Sequence, residues 1–205
     1  MQRPKAIVFD LGKVLVDFDY AIAGRKLAAR ATMAPAELGK FLIHVPLIVR
    51  YETGLINSEE FYQEVRAASG YLGDMEEFAS VFADIFTPIE PMVQLQAELR
   101  RRGYPTYIFS NTNELAIRFI RRNFPFFRNF DGYILSYEHR SMKPDARLYE
   151  VVESQSGASG AEILYLDDRP ENIQAGAARG WQVILQESPE KTLASIRQLG
   201  LLEHA

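Results

Sequence analysis

Lys5-Ala6-Ile7-Val8-Phe9-Asp10 is a short, continuous apolar run that ends on a carboxylate. Such a run is typical of a strand whose two faces are both buried in a parallel sheet. Four further apolar runs follow, each next to a helix-like stretch, at residues 106–110, 133–136, 163–167 and 182–185. This alternation of strands and helices predicts an α/β fold built on a Rossmann-like, doubly wound parallel sheet.

The alternation is interrupted by residues 17–87, which have the pattern of one helix after another with no convincing strand. We therefore expect a small helical cap at 17–87, inserted into an α/β core domain that comprises residues 1–16 and 88–205. An insertion after the first strand lies over the carboxyl ends of the sheet strands, where open α/β folds bind ligands. The cap is expected to act as a lid.

The composition restricts the classes of function. The 205 residues are 47% hydrophobic and 24% charged, which is typical of a folded globular protein. A net charge of −4 lacks the basic surplus of nucleic-acid binding proteins, so a small-molecule partner is expected. The absence of cysteine excludes disulfides and thiolate chemistry and favours a cytoplasmic location. No apolar run has membrane-spanning length, so no membrane association is expected, and the sequence leaves open whether the protein is a monomer or a homodimer.

Polar side chains follow four of the predicted strands, at the point where each strand ends. Asp10 follows the first, Ser110-Asn111-Thr112-Asn113 the second, Lys143 the third and Asp167-Asp168 the fourth. Because the carboxyl ends of parallel strands lie side by side, we expect these residues to meet in one crevice. Carboxylates suit a hard cation, while hydroxyl, amide and ammonium groups suit phosphate oxygens.

The order of these motifs resembles the haloacid-dehalogenase superfamily. The resemblance covers the whole chain and rests on the motif Asp10-Leu11-Gly12, the Ser-Asn-Thr-Asn run, Lys143-Pro144, and Asp167-Asp168 with Asn172. The cap position matches the subgroup with an insertion directly after the first motif. Within the superfamily, these motifs are most similar to those of bacterial phosphatases that act on sugar phosphates.

The resemblance implies a set of roles at the site. Asp10 would be the nucleophile that attacks phosphorus and forms an aspartyl-phosphate. A Mg²⁺ cofactor would be bound by Asp10, the backbone carbonyl of Gly12 and Asp168. Lys143 and Ser110 would assist catalysis, and the phosphate of a small phosphorylated metabolite would be held by Ser110, Asn111, Thr112 and Lys143. Two further residues would orient the metal waters and the lysine from behind the metal ligands: Asp167 and Asn172.

Gly12 departs from the usual pattern of the superfamily. Most of its phosphatases carry an aspartate at this position, which protonates the leaving alcohol and later activates water. General acid–base catalysis is worth about 10²–10⁴-fold, so a replacement is needed or the gain is lost. The candidates are a metal-bound water or one of three cap residues: His44, Tyr51 and Glu52.

Two other functions stay open at this point. A carbon–halogen hydrolase also lacks the second aspartate and uses the same nucleophile without a metal. The intact Asp167-Asp168 pair favours the metal-dependent phosphatase over this alternative. The second alternative is a non-catalytic binding protein, which is disfavoured by the retention of four motif residues: Asp10, Ser110, Lys143 and Asp168.

Overall fold

The structure of the protein is a computed structural model that describes residues 2–202. Residues 1 and 203–205, which the sequence analysis assigned to the core domain, lie outside the described residues. The strands are β1 (Ala6–Phe9), β2 (Val16–Phe18), β3 (Phe86–Pro88), β4 (Thr106–Ser110), β5 (Gly132–Leu135), β6 (Ile163–Asp167) and β7 (Gln182–Leu185). The helices are α1 (Tyr20–Ala28), α2 (Pro35–Leu42), α3 (Val45–Glu52), α4 (Ser58–Ser69), α5 (Met75–Ala83), α6 (Glu90–Arg101), α7 (Glu114–Asn123), α8 (Ser136–His139), α9 (Ala146–Ser156), α10 (Pro170–Ala178) and α11 (Pro189–Gln198).

Five strands form a parallel sheet in the order β5-β4-β1-β6-β7. The first strand of the chain, β1, is thus the central one. The strands β4 and β5 lie on one side of it, and β6 and β7 lie on the other. The register places Phe9 beside Ile108 on one neighbour and beside Leu166 on the other. The residues that follow these three strands therefore emerge at one edge of the sheet, at the point where ligands bind in folds of this type.

Both faces of the central strand are buried, which explains its unbroken apolar sequence. Ile7 and Phe9 pack into the hydrophobic cluster on one face, and Ala6 and Val8 pack into the cluster on the other, all with no solvent exposure. Successive side chains of a strand point to opposite faces, so a strand covered on both sides must be apolar at every position. The predicted α/β fold with a parallel, doubly wound sheet is confirmed.

Five helices, α1–α5, form what we term the helical segment, residues 20–83, which has its own hydrophobic cluster. Stacked rings fill this cluster, with the Tyr51 and Phe61 centroids 4.3 Å apart and those of Phe78 and Phe82 5.6 Å apart. Aromatic side chains bury the largest apolar areas, so this small segment builds a core largely from rings.

The structure differs from the sequence analysis at both ends of this segment. The expectation of no strand within 17–87 is wrong, because β2 and β3 pair there as a two-stranded antiparallel ribbon. Each strand has only three residues, too few to produce a recognisable alternation of apolar and polar positions. The ribbon holds together the two points at which the chain enters and leaves the helical segment.

No helix among residues 2–202 has both the length and the apolar character needed to cross a membrane.

Candidate active site

Three carboxylates converge at the carboxyl edge of the central sheet. Asp10 follows β1, and Asp167 and Asp168 lie at the end of β6. Each offers a carboxylate oxygen, and these oxygens lie within 4.8 Å of one another. Asp10 is 7% exposed and Asp167 is fully buried, whereas Asp168 is half-buried. The fold therefore brings together residues that were selected, at predicted strand ends, from distant parts of the sequence.

Lys143 supplies one buried positive charge to this group. Its Nζ lies 3.0 Å from Asp10 Oδ1 and donates hydrogen bonds to Asp167 Oδ2 at 2.6 Å and to the Phe109 carbonyl at 2.8 Å. Burial alone would lower the pKa of Lys143, but Asp10 and Asp167 outweigh it and hold that pKa above its ordinary value. The ammonium group therefore stays charged, and its three protons have three fixed acceptors.

Asp167 is surrounded by hydrogen-bond donors. Besides Lys143, the Tyr165 hydroxyl donates to Oδ2, the Asn172 amide donates to both oxygens at 3.0 and 3.1 Å, and the Arg169 N–H donates to Oδ1 at 2.8 Å. A carboxylate with its lone pairs already engaged is a poor direct metal ligand. Asp167 thus holds the Lys143 ammonium group and is itself held by Asn172, whereas Asp168 is half-buried and more accessible.

The loop that carries Lys143 is held by Asn111. The Lys143 N–H donates to Asn111 Oδ1 at 2.7 Å, and Asn111 Nδ2 donates to the Lys143 carbonyl at 3.0 Å. This reciprocal pair fixes the lysine backbone beside the end of β4. The Asn111 side chain therefore positions Lys143, and only its backbone remains for phosphate.

Thr112 and Ser110 differ in how available they are to a ligand. The Thr112 N–H donates to Ser136 Oγ at 2.9 Å, so it would have to break this bond to hold a phosphoryl oxygen. Among the described residues, the buried Ser110 hydroxyl makes only a long hydrogen bond of 3.3 Å to the Asn111 carbonyl. Ser110 is consequently the better donor for a phosphate oxygen in this arrangement.

The electrostatics of the carboxylates fit a divalent cation. Burial raises the pKa of Asp10 to about 7, with Lys143 opposing the rise and Asp167 and Asp168 adding to it. Burial and the charge of Asp167 also raise the pKa of Asp168. Three carboxylates share one lysine, so the site has surplus negative charge that a cation with oxygen ligands would neutralise.

The Gly12 carbonyl is the remaining predicted metal ligand. The chain turns back on itself here, with the Lys13 N–H bonded to the Val16 carbonyl at 2.7 Å and the Val16 N–H bonded to the Leu11 carbonyl at 2.9 Å. This bridge leaves the Gly12 carbonyl unused. Like the carboxylates of Asp10 and Asp168, this carbonyl is a hard oxygen of the kind that Mg²⁺ accepts.

A cavity of about 50 Å³ lies beside these groups, between the sheet edge and the helical segment. Gly12, Ser110 and Asn113 line it from the sheet side, and Tyr20 and Glu52 line it from the helical segment. The sheet edge and the helical segment thus border one small space beside the carboxylates.

Several contributors to the site were not selected from the sequence. Ser136 Oγ accepts from the Thr112 N–H and donates to the Glu52 carbonyl at 2.6 Å, so it joins the sheet edge to the helical segment. Tyr165 lies two residues before Asp167 on the same strand and hence on the same face, a spacing that could have indicated its contact. No local signal identifies Ser136, because its partners are 24 and 84 residues away.

The sequence comparisons identify a family and similar proteins. The family model described as haloacid dehalogenase-like hydrolase matches residues 4–180. A sesquiterpene phosphatase of Aspergillus oryzae is 27% identical over 198 residues, covering 95% of this chain and 96% of that protein. A D-ribitol-5-phosphate phosphatase of Bacteroides thetaiotaomicron is 26% identical over 192 residues, covering 90% and 92%.

Solved structures share the fold. A HAD family enzyme from Bacteroides thetaiotaomicron, crystallised with magnesium and inorganic phosphate, superposes with a TM-score of 0.77 at 22% identity, covering 89% of this chain and 93% of that chain. An L-2-haloacid dehalogenase from Xanthobacter autotrophicus superposes with a TM-score of 0.63 at 21% identity, covering 94% and 83%. At these identities the likeness extends to the fold and not to the reaction.

Proposed function

Because this chain belongs to the haloacid dehalogenase-like hydrolase family, and is therefore a hydrolase, we propose that it is a Mg²⁺-dependent phosphatase of small phosphomonoesters. The observation that carries the proposal is the buried Asp10 carboxylate, held by Lys143 among three convergent carboxylates. Relatives named as phosphatases that match nearly the whole chain support the same reaction class. Family membership favours a hydrolase over the non-catalytic alternative, and the Asp167-Asp168 pair favours a metal-dependent reaction over carbon–halogen hydrolysis.

The geometry of Asp10 suits nucleophilic attack. Its Oδ1 is held by the Leu11 N–H at 2.7 Å and by Lys143 at 3.0 Å, which orients Oδ2 as the attacking oxygen. Attack on phosphorus forms the bond from Asp10 to phosphorus and breaks the bond from phosphorus to the leaving oxygen. Water then attacks the aspartyl-phosphate, which releases inorganic phosphate and restores the carboxylate.

The other residues stabilise charge during this transfer. Ser110 donates to a phosphoryl oxygen, and the Lys143 ammonium lies next to the negative charge that accumulates. Asp10, Asp168 and the Gly12 carbonyl would hold Mg²⁺. The chemistry that the bound ion supplies is neutralisation of the phosphoryl oxygens and of the carboxylates around them.

Residues 17–87 act in this proposal as the cap over the site. The cavity between them and the sheet edge is small, about 50 Å³, so movement of the cap away from the sheet edge would widen the way in for a substrate. Closure would then exclude bulk water from the aspartyl-phosphate step. The β2–β3 ribbon is the connection about which such a motion takes place.

The substrates that the cavity favours are compact and hydroxylated, such as sugar or polyol phosphates. Asn113 is 1% exposed on the cavity wall, and its Nδ2 interacts with the Tyr20 hydroxyl without forming a hydrogen bond of good geometry among the described residues. A buried donor whose partner is this poor can form a better hydrogen bond with a substrate hydroxyl, a gain of up to about 1–3 kcal/mol. The D-ribitol-5-phosphate phosphatase relative acts, by its name, on a substrate of this kind.

The change Asn113→Ser tests this assignment. Asn113 Oδ1 also caps α7 by accepting from the Ala116 N–H, and serine keeps a capping oxygen while it removes the amide donor. We expect KM for a polyol phosphate to rise about tenfold, equivalent to about 1.4 kcal/mol, with little change for p-nitrophenyl phosphate. Steady-state kinetics on both substrates measure this, and an equal change in KM for the two would remove Asn113 from substrate recognition.

The change Asp168→Ala tests the metal site. With one carboxylate removed, we expect half-maximal activity to require at least about tenfold more Mg²⁺. A tenfold loss of metal affinity corresponds to only about 1.4 kcal/mol of binding free energy. The control is Glu150→Ala, which removes an exposed carboxylate on α9. A Mg²⁺ titration of phosphate release separates the variants, and an unchanged requirement in Asp168→Ala would place the metal ligand elsewhere.

A further inference from the structure

The proposed phosphatase lacks a proton donor at position 12, and the structure explains why one cannot simply be placed there. A Cβ built on Gly12 would lie 2.7 Å from Cε1 of Phe18. The Phe18 ring is itself packed against Tyr20 and Phe86, with centroids 5.8 and 5.9 Å away. The space for an acidic side chain at position 12 is therefore filled by the ring, so an acid supplied by a side chain would come from another element.

Two of the three cap residues considered from the sequence are unsuitable. His44 is exposed and lies at the start of α3, on the end of that helix away from the cavity. The Tyr51 hydroxyl is already engaged between the cap and α7: it bonds to Ser58 Oγ at 2.8 Å and accepts from the Leu115 N–H at 3.3 Å, while its ring stacks on Phe61. Tyr51 thus serves the packing of the cap and its contact with α7.

Glu52 is different because it lines the cavity that contains Gly12 and Ser110. It is the last residue of α3, and its side chain is half-buried. Among residues 2–202, no donor forms a hydrogen bond with its carboxyl group. The charged groups that face it are Asp10, on the sheet edge, and Arg169, at the start of α10.

The backbone of Glu52 is fixed against the core domain. Ser136 Oγ donates to the Glu52 carbonyl at 2.6 Å. Two residues later, Gly54 has φ +64°, and a Cβ there would lie 2.2 Å from the Tyr137 carbonyl oxygen, so only glycine allows this approach. These two contacts hold the end of α3 on α8 and so determine where the Glu52 side chain enters the cavity.

The surroundings favour the protonated form of this carboxyl group. Burial raises the pKa of Glu52 to about 7, the negative charge of Asp10 adds to the rise, and Arg169 opposes it. A carboxyl group that keeps its proton near neutral pH can donate it to a leaving oxygen. This electrostatic feature agrees with the position of Glu52 in the cavity.

We propose that Glu52 is the general acid and base of the reaction, in the role that the missing side chain at position 12 would have filled. The proposal rests on the proposed function. When the bond from phosphorus to the leaving oxygen breaks, the Glu52 carboxyl proton passes to that oxygen and releases a neutral alcohol. The Glu52 carboxylate then takes a proton from the water that attacks the aspartyl-phosphate, which restores the acid for the next turnover.

The experiment compares wild type with Glu52→Gln on two substrates that differ in the basicity of the leaving group. An alkyl phosphate, such as a polyol phosphate, needs its leaving oxygen protonated, whereas p-nitrophenyl phosphate releases a stable phenolate. We expect kcat of Glu52→Gln to fall by about 10²-fold or more on the alkyl phosphate and by only a few-fold on the aryl phosphate. Glu37→Gln, at an exposed glutamate on α2 of the same cap, should match wild type on both.

The outcomes distinguish a failure of the role proposed for Glu52 from a failure of the proposed phosphatase function. An equal loss on both substrates assigns Glu52 a structural role and overturns the proposal, as does full activity on the alkyl phosphate. Glu52→Asp keeps the acid on a shorter side chain, and partial recovery of alkyl phosphate turnover would support the role. If wild type itself shows no phosphate release that depends on Asp10, the proposed function fails first; thermal unfolding of each variant verifies the fold.

Discussion

Asp10→Asn is expected to lower phosphate release by several orders of magnitude while the protein remains folded. The amide is nearly isosteric with the carboxylate and still accepts from the Leu11 N–H and Lys143 through Oδ1, but it is a poor nucleophile toward phosphorus. The measurement is Mg²⁺-dependent phosphate release from a panel of phosphomonoesters. Turnover close to wild type would eliminate the aspartyl-phosphate mechanism.

The same variant has an expected effect on stability that serves as its control. The folded-state pKa of Asp10, about 7, lies above its ordinary value of 3.8, so the folded protein binds the proton more tightly than the unfolded chain. The stability contribution of this group is therefore fully present below about pH 4 and is lost as the pH rises through about 7. Asparagine carries no such charge, so Asp10→Asn should gain thermal stability over metal-free wild type as the pH is raised from 5 to 8.

Thermal unfolding of both proteins at pH 5 and pH 8, without divalent ions, measures this difference. Mg²⁺ added at pH 8 should raise the midpoint of wild type more than that of Asp10→Asn, because the variant lacks one anionic ligand. A midpoint difference that does not change with pH would contradict the buried, desolvated environment assigned to Asp10. The effect of Asp10→Asn on activity would then have to be interpreted without this stability control.

Lys143→Met is expected to produce the largest loss of stability. The lysine side chain is 1% exposed, and its ammonium group bridges Asp10, the fully buried Asp167 and the Phe109 carbonyl. Removing one partner of a buried ion pair leaves the other charge without compensation, which costs about 3–5 kcal/mol. Equilibrium unfolding in urea measures the free energy of unfolding, and Lys40→Met, at an exposed lysine on α2, is the matched control.

A second variant identifies the source of this loss. Adding Asp167→Asn to Lys143→Met removes the charge that the lysine compensated, so the double variant should be more stable than the sum of the single changes predicts. Such non-additivity is the signature of two groups that interact directly. Additive effects would mean that Lys143 stabilises the fold by packing between the Phe109 and Tyr165 rings, which lie 5.0 and 5.8 Å from its Nζ, and not by its charge.

Much of the fold could be predicted from the sequence because a strand buried on both faces is apolar at every position, and this pattern is visible in a short stretch of sequence. The run 6–9 is apolar at every position since both faces of β1 are covered, and the predicted sheet and family are confirmed. The strands β2 and β3 were missed because each has only three residues and little periodicity of its own. Each forms by pairing with the other across the whole length of the helical segment.

The candidate site divides in the same way. Asp10, Ser110, Lys143 and Asp167-Asp168 could be selected from sequence because they stand at strand ends, and parallel strands bring their ends together whatever the loops do. The sequence could also identify Gly12 as a position without an acid, but it left a metal-bound water, His44, Tyr51 and Glu52 as equal substitutes. The separation of the three side chains into an exposed residue, a packing residue and a cavity residue depends on how the cap packs on the core. That packing rests on contacts such as Ser136 with Glu52 and Phe18 with Gly12, between groups that no local pattern relates, so it is determined only when the whole chain has folded.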